Sequence, residues 1–515
     1  MTAMNAAQVL LGPALARGLD DAPAIIFEGR AITYAELEGQ ASRCGHVLGD
    51  AGAAAQDRVM LLVHDRPEWF YAYLGAMKIG AVPVALNLRC SADELAFVIE
   101  DSGCRVLVLD SAFLDLYRSI APRLPAPPEV VIADRAVPGQ RHLGRLMADR
   151  PDSLAPVELA PDDMALWMYT SGTTGSPKAA VHLQRAMPAA PGFLGKVLGV
   201  GPGDRLFCSS KLFFAFSLGH CFLSSLQLGA ATILFEGWPS AAAVAEVVAR
   251  DRPTVMFTVP TLYRNLLRDG HAEGRAFRQI RHYVAAGERL PETLFERWRA
   301  ATGRPILEGV GATEALMLFL ANRPDDCRPG ASGRPLPDTE VRLVADAGRT
   351  VTEAGVGVMW VRSACVAAGY WNQDEKTAAA FRDGWYCTGD MFATDGDGWY
   401  RHLGRHDDML KISGQWVSPA EIEEHVLGNP GVAEAAVVGV ADRDGLTRLA
   451  LFLVVADGVE RAALESEIRA TLTARLSVYK FPRRFFYVDQ MPRTATGKLQ
   501  RFVLRQRLAA RGDAA

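Results

Sequence analysis

Short apolar runs alternate with stretches of helical spacing along most of the chain. Tyr34-Ala35-Glu36-Leu37 opens an amphipathic helix, Val59-Met60-Leu61-Leu62-Val63 reads as a buried strand, and Trp69 to Met77 is helical again. The apolar stretch Gly80 to Leu86, a helix from Ala92 to Asp101 and the strand Arg105-Val106-Leu107-Val108-Leu109 follow. This strand–helix–strand rhythm predicts parallel strands. Pro122 to Pro128 and Pro151 to Pro161 are proline-bearing connectors. The rhythm then resumes, with strands at Ala230–Phe235 and Thr254–Val259 around a helix at Ala241–Arg250. Pro305–Glu308 is a further strand, and Val341–Val344 begins a more β-rich part. After Gly404 the texture changes: helices at Pro419–Leu427 and Ala462–Leu476 bracket strands at Glu434–Val440 and Leu449–Val455. The predicted fold is α/β, a large multi-sheet N-terminal α/β domain over residues 1–405 with a small mobile C-terminal α+β domain over 406–515. Internal repeats and low-complexity tracts are absent, which excludes a solenoid or a disordered scaffold.

Composition narrows the class. A chain of 515 residues exceeds one compact core and calls for at least two domains. Its 49% hydrophobic and 22% charged content is that of an ordinary soluble globular protein. Lys+Arg 55 against Asp+Glu 59 gives −4, so no basic field invites nucleic acid or an anionic membrane. The eight cysteines are scattered without a CxxC pair, which argues for free thiols in a reducing compartment. The ten histidines lack HExxH-type spacing, so no protein-bound transition metal is expected. Met1-Thr2-Ala3-Met4-Asn5 lacks a basic leader, and no apolar stretch approaches the ~18 residues of a membrane span. The expectation is a soluble cytoplasmic protein.

Candidate chemistry centres on Tyr169-Thr170-Ser171-Gly172-Thr173-Thr174-Gly175-Ser176-Pro177-Lys178, which follows the apolar run Met164 to Tyr169. Glycines let backbone N–H groups approach an anion, hydroxyls add donors and the lysine adds charge. Pro177 between the second glycine and Lys178 separates this pattern from the nucleotide loop GxxxxGK[ST]. A polar surface turn is the plainer reading of such a loop alone. Four more segments carry polar groups at turns. In Glu308-Gly309-Val310-Gly311-Ala312-Thr313-Glu314, glycines let a flat ring lie on the backbone, Thr313 can bond a phosphate and Glu314 can hold Mg²⁺. In Trp385-Tyr386-Cys387-Thr388-Gly389-Asp390, the acid can accept two ribose hydroxyls or simply cap a turn. Gly404 to Gly414 is a charge cluster at the predicted domain boundary, and Pro492-Arg493-Thr494-Ala495-Thr496-Gly497-Lys498 ends in a lone lysine.

Together, in this order, the five segments resemble the acyl-adenylate-forming superfamily of acyl- and aryl-CoA ligases, adenylation domains and luciferases, over nearly the whole chain. Lys211-Leu212-Phe213-Phe214-Ala215, Ala286-Gly287-Glu288, Thr313-Glu314, Leu318 to Pro324 and Gly431 to Gly439 look like benzoate-CoA ligases in particular. The resemblance implies that ATP and a carboxylate give an acyl-adenylate, after which the CoA thiol displaces AMP. It implies a phosphate cradle of Thr170, Ser171, Gly172, Thr173, Thr174, Gly175 and Lys178, with Glu314 on Mg²⁺ and Thr313 on the α-phosphate. Asp390 and Arg405 are then expected on the ribose, Gly287, Glu288 and Val310 around the adenine, and Lys498 between carboxylate and α-phosphate. Asp407 stands at the family's hinge position. Rotation about it is expected to replace Lys498 with the Lys411–Gly414 strand, placing Ser413 and Gly414 at the pantetheine tunnel. Ala179 stands where many members have glycine, a change expected to be tolerated in close packing of a helix.

The resemblance places the acyl pocket at Phe213, Phe214, Ala215, Phe216, His220, Ala285, Val310, Gly311 and Met317, a lining suited to a flat ring. Benzoate ligases are expected to have Tyr-Gly in place of Phe216-Ser217 and His in place of Met317. That difference, with His220 on offer, gives an expected preference for 2-aminobenzoate, then benzoate and hydroxybenzoates. No acid lies between Phe213 and Cys221 to pair an amino-acid ammonium. A stand-alone adenylation protein loading a carrier protein shares every nucleotide residue and stays open as the alternative. A dead scaffold does not fit, since Lys498, Glu314 and Asp390 are all kept. The partners expected are a small aromatic acid, ATP and CoA, with a homodimer and a downstream acyltransferase also compatible.

Overall fold

Parallel strands buried on both faces need apolar side chains at every position, and the runs seen in the sequence supply them. In Val106–Leu109 all four residues are buried; Val106 and Val108 face one core, Leu107 and Leu109 the other. The computed structural model describes residues 3–170, 177–345, 348–412, 415–441, 447–456, 458–477, 480–493 and 499–510. Ser171, Gly172, Thr173, Thr174, Gly175, Ser413, Gly414 and Lys498 lie outside the described residues.

Packing divides the chain into two units. The larger is Met1–Arg342, Trp360–Thr388 and Gly398–Tyr400; the smaller is Leu343–Met359, Gly389–Asp397 and Arg401–Ala515. The cut expected after residue 405 is thus preceded by two segments, 343–359 and 389–397, that group with the C-terminal part.

Within the larger unit, one sheet runs in the order Gly369–Tyr370, Lys178–Leu183, Met164–Thr170, Val82–Ala85, Arg58–Leu62, Val106–Leu109, Glu129–Ile132, Arg141–His142. Its central strands are parallel, as predicted, with Met60 opposite Val84 on one side and Leu107 on the other. The segment after the opening loop is the strand Lys178–Leu183, not a helix: Ala179 pairs with Tyr169 and is fully buried between flanking strands. A second sheet has the parallel core Ala231–Leu234, Arg205–Cys208, Val255–Thr258, His282–Ala285 and Ile306–Gly311, continued by antiparallel Leu318–Ala321. The helix Tyr34–Asp50 starts at a capping box in which Thr33 and Glu36 exchange hydrogen bonds.

In the smaller unit the strands Val432–Ala441, Thr447–Val455 and Arg484–Tyr487 form one sheet. Alternation along the first strand sends Val437 toward Pro419–Leu427 and Arg461–Arg475, and Ala436 and Val438 toward Arg501–Ala510. No helix among the described residues is long and apolar enough to cross a membrane.

Candidate active site

The polar end of the site grows from one ladder. Thr170 and Lys178 are antiparallel partners, so pairing fixes both ends of the glycine-rich loop at one sheet corner. The next strand outward, Gly369–Tyr370, pairs with the same strand and sets Tyr370 opposite Ala180. Lys178 Nζ donates to Tyr370 Oη at 2.6 Å and lies 3.9 Å from the ring centroid. Tyr370 Oη in turn donates to Glu314 Oε1 at 2.6 Å, and Lys178 Nζ stands 3.4 Å from that oxygen. Glu314 is buried, and a buried carboxylate persists only when donors such as these meet it.

Glu314 sits in the short turn Thr313–Ala315 directly after the strand Ile306–Gly311. Two devices hold that turn. His182, wholly buried on the Lys178–Leu183 strand, sets Nε2 at 3.0 Å from Thr313 O and Nδ1 at 3.2 Å from Cys365 O. Burial pushes its pKa down to about 4 against the pull of both carbonyls and of Glu314. Beyond the turn, Leu316 adopts φ +62°, ψ −37°, a conformation costly for a branched L-residue and typical of functional turns.

The aromatic end lies on irregular helix. Leu218–Ser224 is a π-helical segment, a rare geometry that occurs frequently at functional sites. It carries His220, which is completely buried among Phe193, Phe216 and Phe257 at ring-centroid distances of 5.7, 5.6 and 5.1 Å. Neither His220 nitrogen has a hydrogen-bond partner among the described residues, and burial alone pushes its pKa down to about 3. Gly219 beside it presses on the Glu314 side of the molecule: a Cβ there would stand 2.7 Å from Met317 Sδ and 2.9 Å from Leu316 O. Gly311 is needed for the same reason, since its Cβ would meet Met317 O at 2.8 Å. A cavity of about 30 Å³ is lined by Phe193, Met317, Leu336, Asp338 and Cys365 among others.

Other expected pocket residues are placed less simply. Phe213 and Phe214 are in contact, with centroids 4.3 Å apart, and Phe213, Ala215 and Met317 belong to one core cluster. Ala285 is on the other face of its strand, in the core around Trp298; Ala286 shares the cluster of Phe193, Phe257 and Phe216. The two-residue period of a strand makes this a strict choice between neighbours. Lys211 is buried, donating to Phe235 O at 2.5 Å and Glu236 O at 3.1 Å, with Asp65 Oδ2 at 3.8 Å. Asp65 also accepts the Leu212 N–H at 3.2 Å, so this ion pair anchors the start of the Phe213–Phe216 segment. Burial raises the Asp65 pKa to about 6 despite the Lys211 charge.

Val310 is half-buried on its strand and Gly287 turns with φ +86° at the end of the neighbouring one. The Glu288 carboxylate is engaged in capping: it accepts Thr261 N at 3.1 Å and Thr261 Oγ1 at 2.7 Å at the start of the helix Pro260–Arg268. In the smaller unit Arg405 Nη1 donates to Asp390 Oδ1 at 3.3 Å, with His402 Nε2 at 3.7 Å from the same oxygen. Asp407 is exposed in the turn His406–Asp408, and Asp408 faces Arg501 and Arg505 at 4.0 and 3.9 Å. Lys411 lies on the strand Leu410–Ile412, which pairs with Gln415–Val417.

The structure sets Tyr370 beside the expected Lys178 and Glu314, His182 beside Thr313 and His402 beside Asp390, three residues that the sequence reading did not name. His182 has a local signal, a polar group inside the apolar strand Ala179-Ala180-Val181-His182-Leu183. Among the described residues no cluster of three or more His, Cys, Asp or Glu could hold a metal alone. One buried carboxylate beside hydroxyls suits Mg²⁺, which binds through one or two carboxylates plus substrate phosphates.

Residues 14–371 match the model of the AMP-binding enzyme family, and 421–498 that of the AMP-binding enzyme C-terminal domain. The chain is 48% identical to a 3-hydroxybenzoate–CoA ligase of Aromatoleum sp. (strain CIB) over 510 residues, 99% of this chain and 98% of that one. It is 46% identical to a 3-hydroxybenzoate–CoA/4-hydroxybenzoate–CoA ligase of Thauera aromatica over 511 residues, 98% of each. Among solved structures, the anthranilate CoA ligase AuaEII in complex with anthranoyl-AMP superposes with a TM-score of 0.91 at 34% identity, covering 99% of both chains.

Proposed function

The chain belongs to the AMP-binding enzyme family and is an AMP-forming aryl-CoA ligase, and from that premise we propose that its acid is a hydroxybenzoate, 3-hydroxybenzoate foremost. The observation that carries this is His220, a neutral imidazole with two unpartnered nitrogens in an otherwise aromatic cage. A buried polar group without a partner costs about 1–3 kcal/mol, which a substrate can return by supplying the missing hydrogen bond. A phenolic hydroxyl both donates and accepts, so it satisfies either tautomer of the ring. The aniline nitrogen of 2-aminobenzoate has its lone pair drawn into the ring and serves only as a donor. Benzoate supplies neither. The preference expected for 2-aminobenzoate therefore gives way to the hydroxy acid, in line with the names of the two bacterial relatives.

The polar end then does the work common to every acid. A carboxylate is a poor electrophile; attack on the α-phosphate of ATP gives it AMP as leaving group, and the task is to hold crowded negative charge. In this reading Lys178 meets the terminal phosphates, Glu314 holds Mg²⁺ entering with ATP, and Thr313 meets the α-phosphate. Asp390 and Arg405 grip the ribose, and Lys498 bridges the carboxylate and α-phosphate. Turning at Asp407 then exchanges Lys498 for the Lys411 strand before the CoA thiolate attacks. The test is kcat/KM for CoA-dependent AMP release with 3-hydroxy-, 4-hydroxy-, 2-aminobenzoate and benzoate. The 3-hydroxy acid is expected to lead benzoate by about 5- to 150-fold; benzoate or 2-aminobenzoate leading would overturn the assignment.

A further inference from the structure

Tyr370 stands between the two charges that the proposed chemistry must keep apart. Its phenol accepts from Lys178 and donates to Glu314, both at 2.6 Å, while Lys178 Nζ and Glu314 Oε1 are 3.4 Å apart. All three lie on rigid pieces of the larger unit: the strands Lys178–Leu183 and Gly369–Tyr370 and the turn Thr313–Ala315. The phenol is itself buried, and its ring is braced edge-on by Phe381 at 5.3 Å.

We propose that Tyr370 is a positioning residue for Mg·ATP: its hydroxyl is a spacer that holds the Lys178–Glu314 ion pair at 3.4 Å and keeps it from tightening into a hydrogen-bonded contact pair. This rests on the reading of Lys178 and Glu314 as phosphate and Mg²⁺ ligands. An oppositely charged pair in low dielectric attracts strongly, and a contact pair withholds its ammonium from phosphate and its carboxylate from metal. The neutral phenol accepts from the one and donates to the other, so each charge meets a hydroxyl in a charge-assisted hydrogen bond. When nucleotide arrives, the ammonium moves to phosphate and the carboxylate to metal, with Tyr370 still donating to the carboxylate. A metal-bound carboxylate is ordinarily oriented by such an outer hydrogen bond.

The test is Tyr370→Phe, which keeps the ring under Lys178 and removes only the oxygen, beside Phe381→Leu, which disturbs the brace and leaves the oxygen. Calorimetric titration with Mg²⁺ plus a non-hydrolysable ATP analogue should show Kd about ten-fold weaker in Tyr370→Phe. KM for Mg·ATP should rise in step, while KM for the aryl acid and Tm stay at the wild-type values. Phe381→Leu should lower Tm with Kd unchanged. Wild-type nucleotide affinity in Tyr370→Phe, or the same loss in Phe381→Leu, would overturn the spacer role. Wild-type protein that forms no aryl-adenylate from Mg·ATP would instead sink the ligand reading beneath it.

Discussion

The two ends of the site are built on opposite principles. At the polar end, Glu314, Lys178 and Tyr370 satisfy one another, and His182 ties the backbone of Thr313 to the neighbouring strand. At the aromatic end, His220 is as deeply buried as any of these, yet both of its ring nitrogens lack a partner among the described residues. A group already satisfied can be traded for a ligand at little net gain, which suits a nucleotide that must bind and leave in every cycle. A group left unsatisfied gains fully from one particular ligand and is penalised by all others. In the proposed function, chemistry shared by all substrates sits on the saturated end, and choice of acid on the unsaturated one.

The contrast breaks most severely at Glu314. Glu314→Gln keeps the Tyr370 hydrogen bond and removes the charge. We expect adenylation, read as aryl-acid-dependent pyrophosphate release, to fall about 100- to 1000-fold for every acid alike. Unequal losses across acids would mean that the two ends are not separate.

His220→Leu tests the other side. The ratio of kcat/KM for 3-hydroxybenzoate over benzoate should fall about 5- to 150-fold, with Tm unchanged or higher because an unsatisfied group is gone. A variant that loses stability and keeps the ratio would make His220 a structural residue. Next in size is Gly219→Ala. Met317 is a flexible neighbour, but Leu316 O is backbone and cannot yield to a Cβ at 2.9 Å. We expect a loss of about 1–3 kcal/mol in stability, read by denaturant unfolding, and a weaker aryl acid without a change in KM for ATP.

How far this contrast was legible in the sequence follows from chain distance. Lys178, Thr313 and Glu314 belong to short contiguous motifs, so residue types alone disclosed them. Tyr370 reaches Lys178 across 192 positions and His182 reaches Thr313 across 131, through strand pairing that no local pattern specifies. The parallel strands were readable because burial on both faces leaves unbroken apolar runs. The same feature hid which face of His282–Ala285 each residue takes: with Tyr283, Val284 and Ala285 all buried, alternation has no polar residue to mark it, and it is Ala286 that shares the cluster of Phe193, Phe216 and Phe257. The close packing of a helix expected at Ala179 gives way to strand pairing, since its Ala-Ala-Val run is that of an inner strand.

The smallest expected effect concerns acid stability and bears on both ends at once. His220 and His182 have folded pKa values of about 3 and about 4, against 6.5 for a free imidazole. Between these limits the unfolded chain takes up protons that the native state refuses. Stability is therefore full above pH ~6.5 and falls as pH drops toward the folded values. Each histidine contributes a slope approaching about 1.4 kcal/mol per pH unit. Asp65, with its folded pKa raised to about 6 from 3.8, pulls the other way: the native state takes up its proton first, and stability gains as pH falls through that window. The difference between wild type and His220→Leu cancels Asp65 and His182 and isolates one imidazole. Urea unfolding at pH 7 and pH 5 should show the variant losing about 1.4 kcal/mol less per pH unit than the wild type below pH ~6. Saturating 3-hydroxybenzoate should leave this difference in slope between pH 7 and pH 5 unchanged, since the native ring is already neutral across that window. Parallel pH curves for the two proteins would mean that His220 titrates normally and that the cage is not dry.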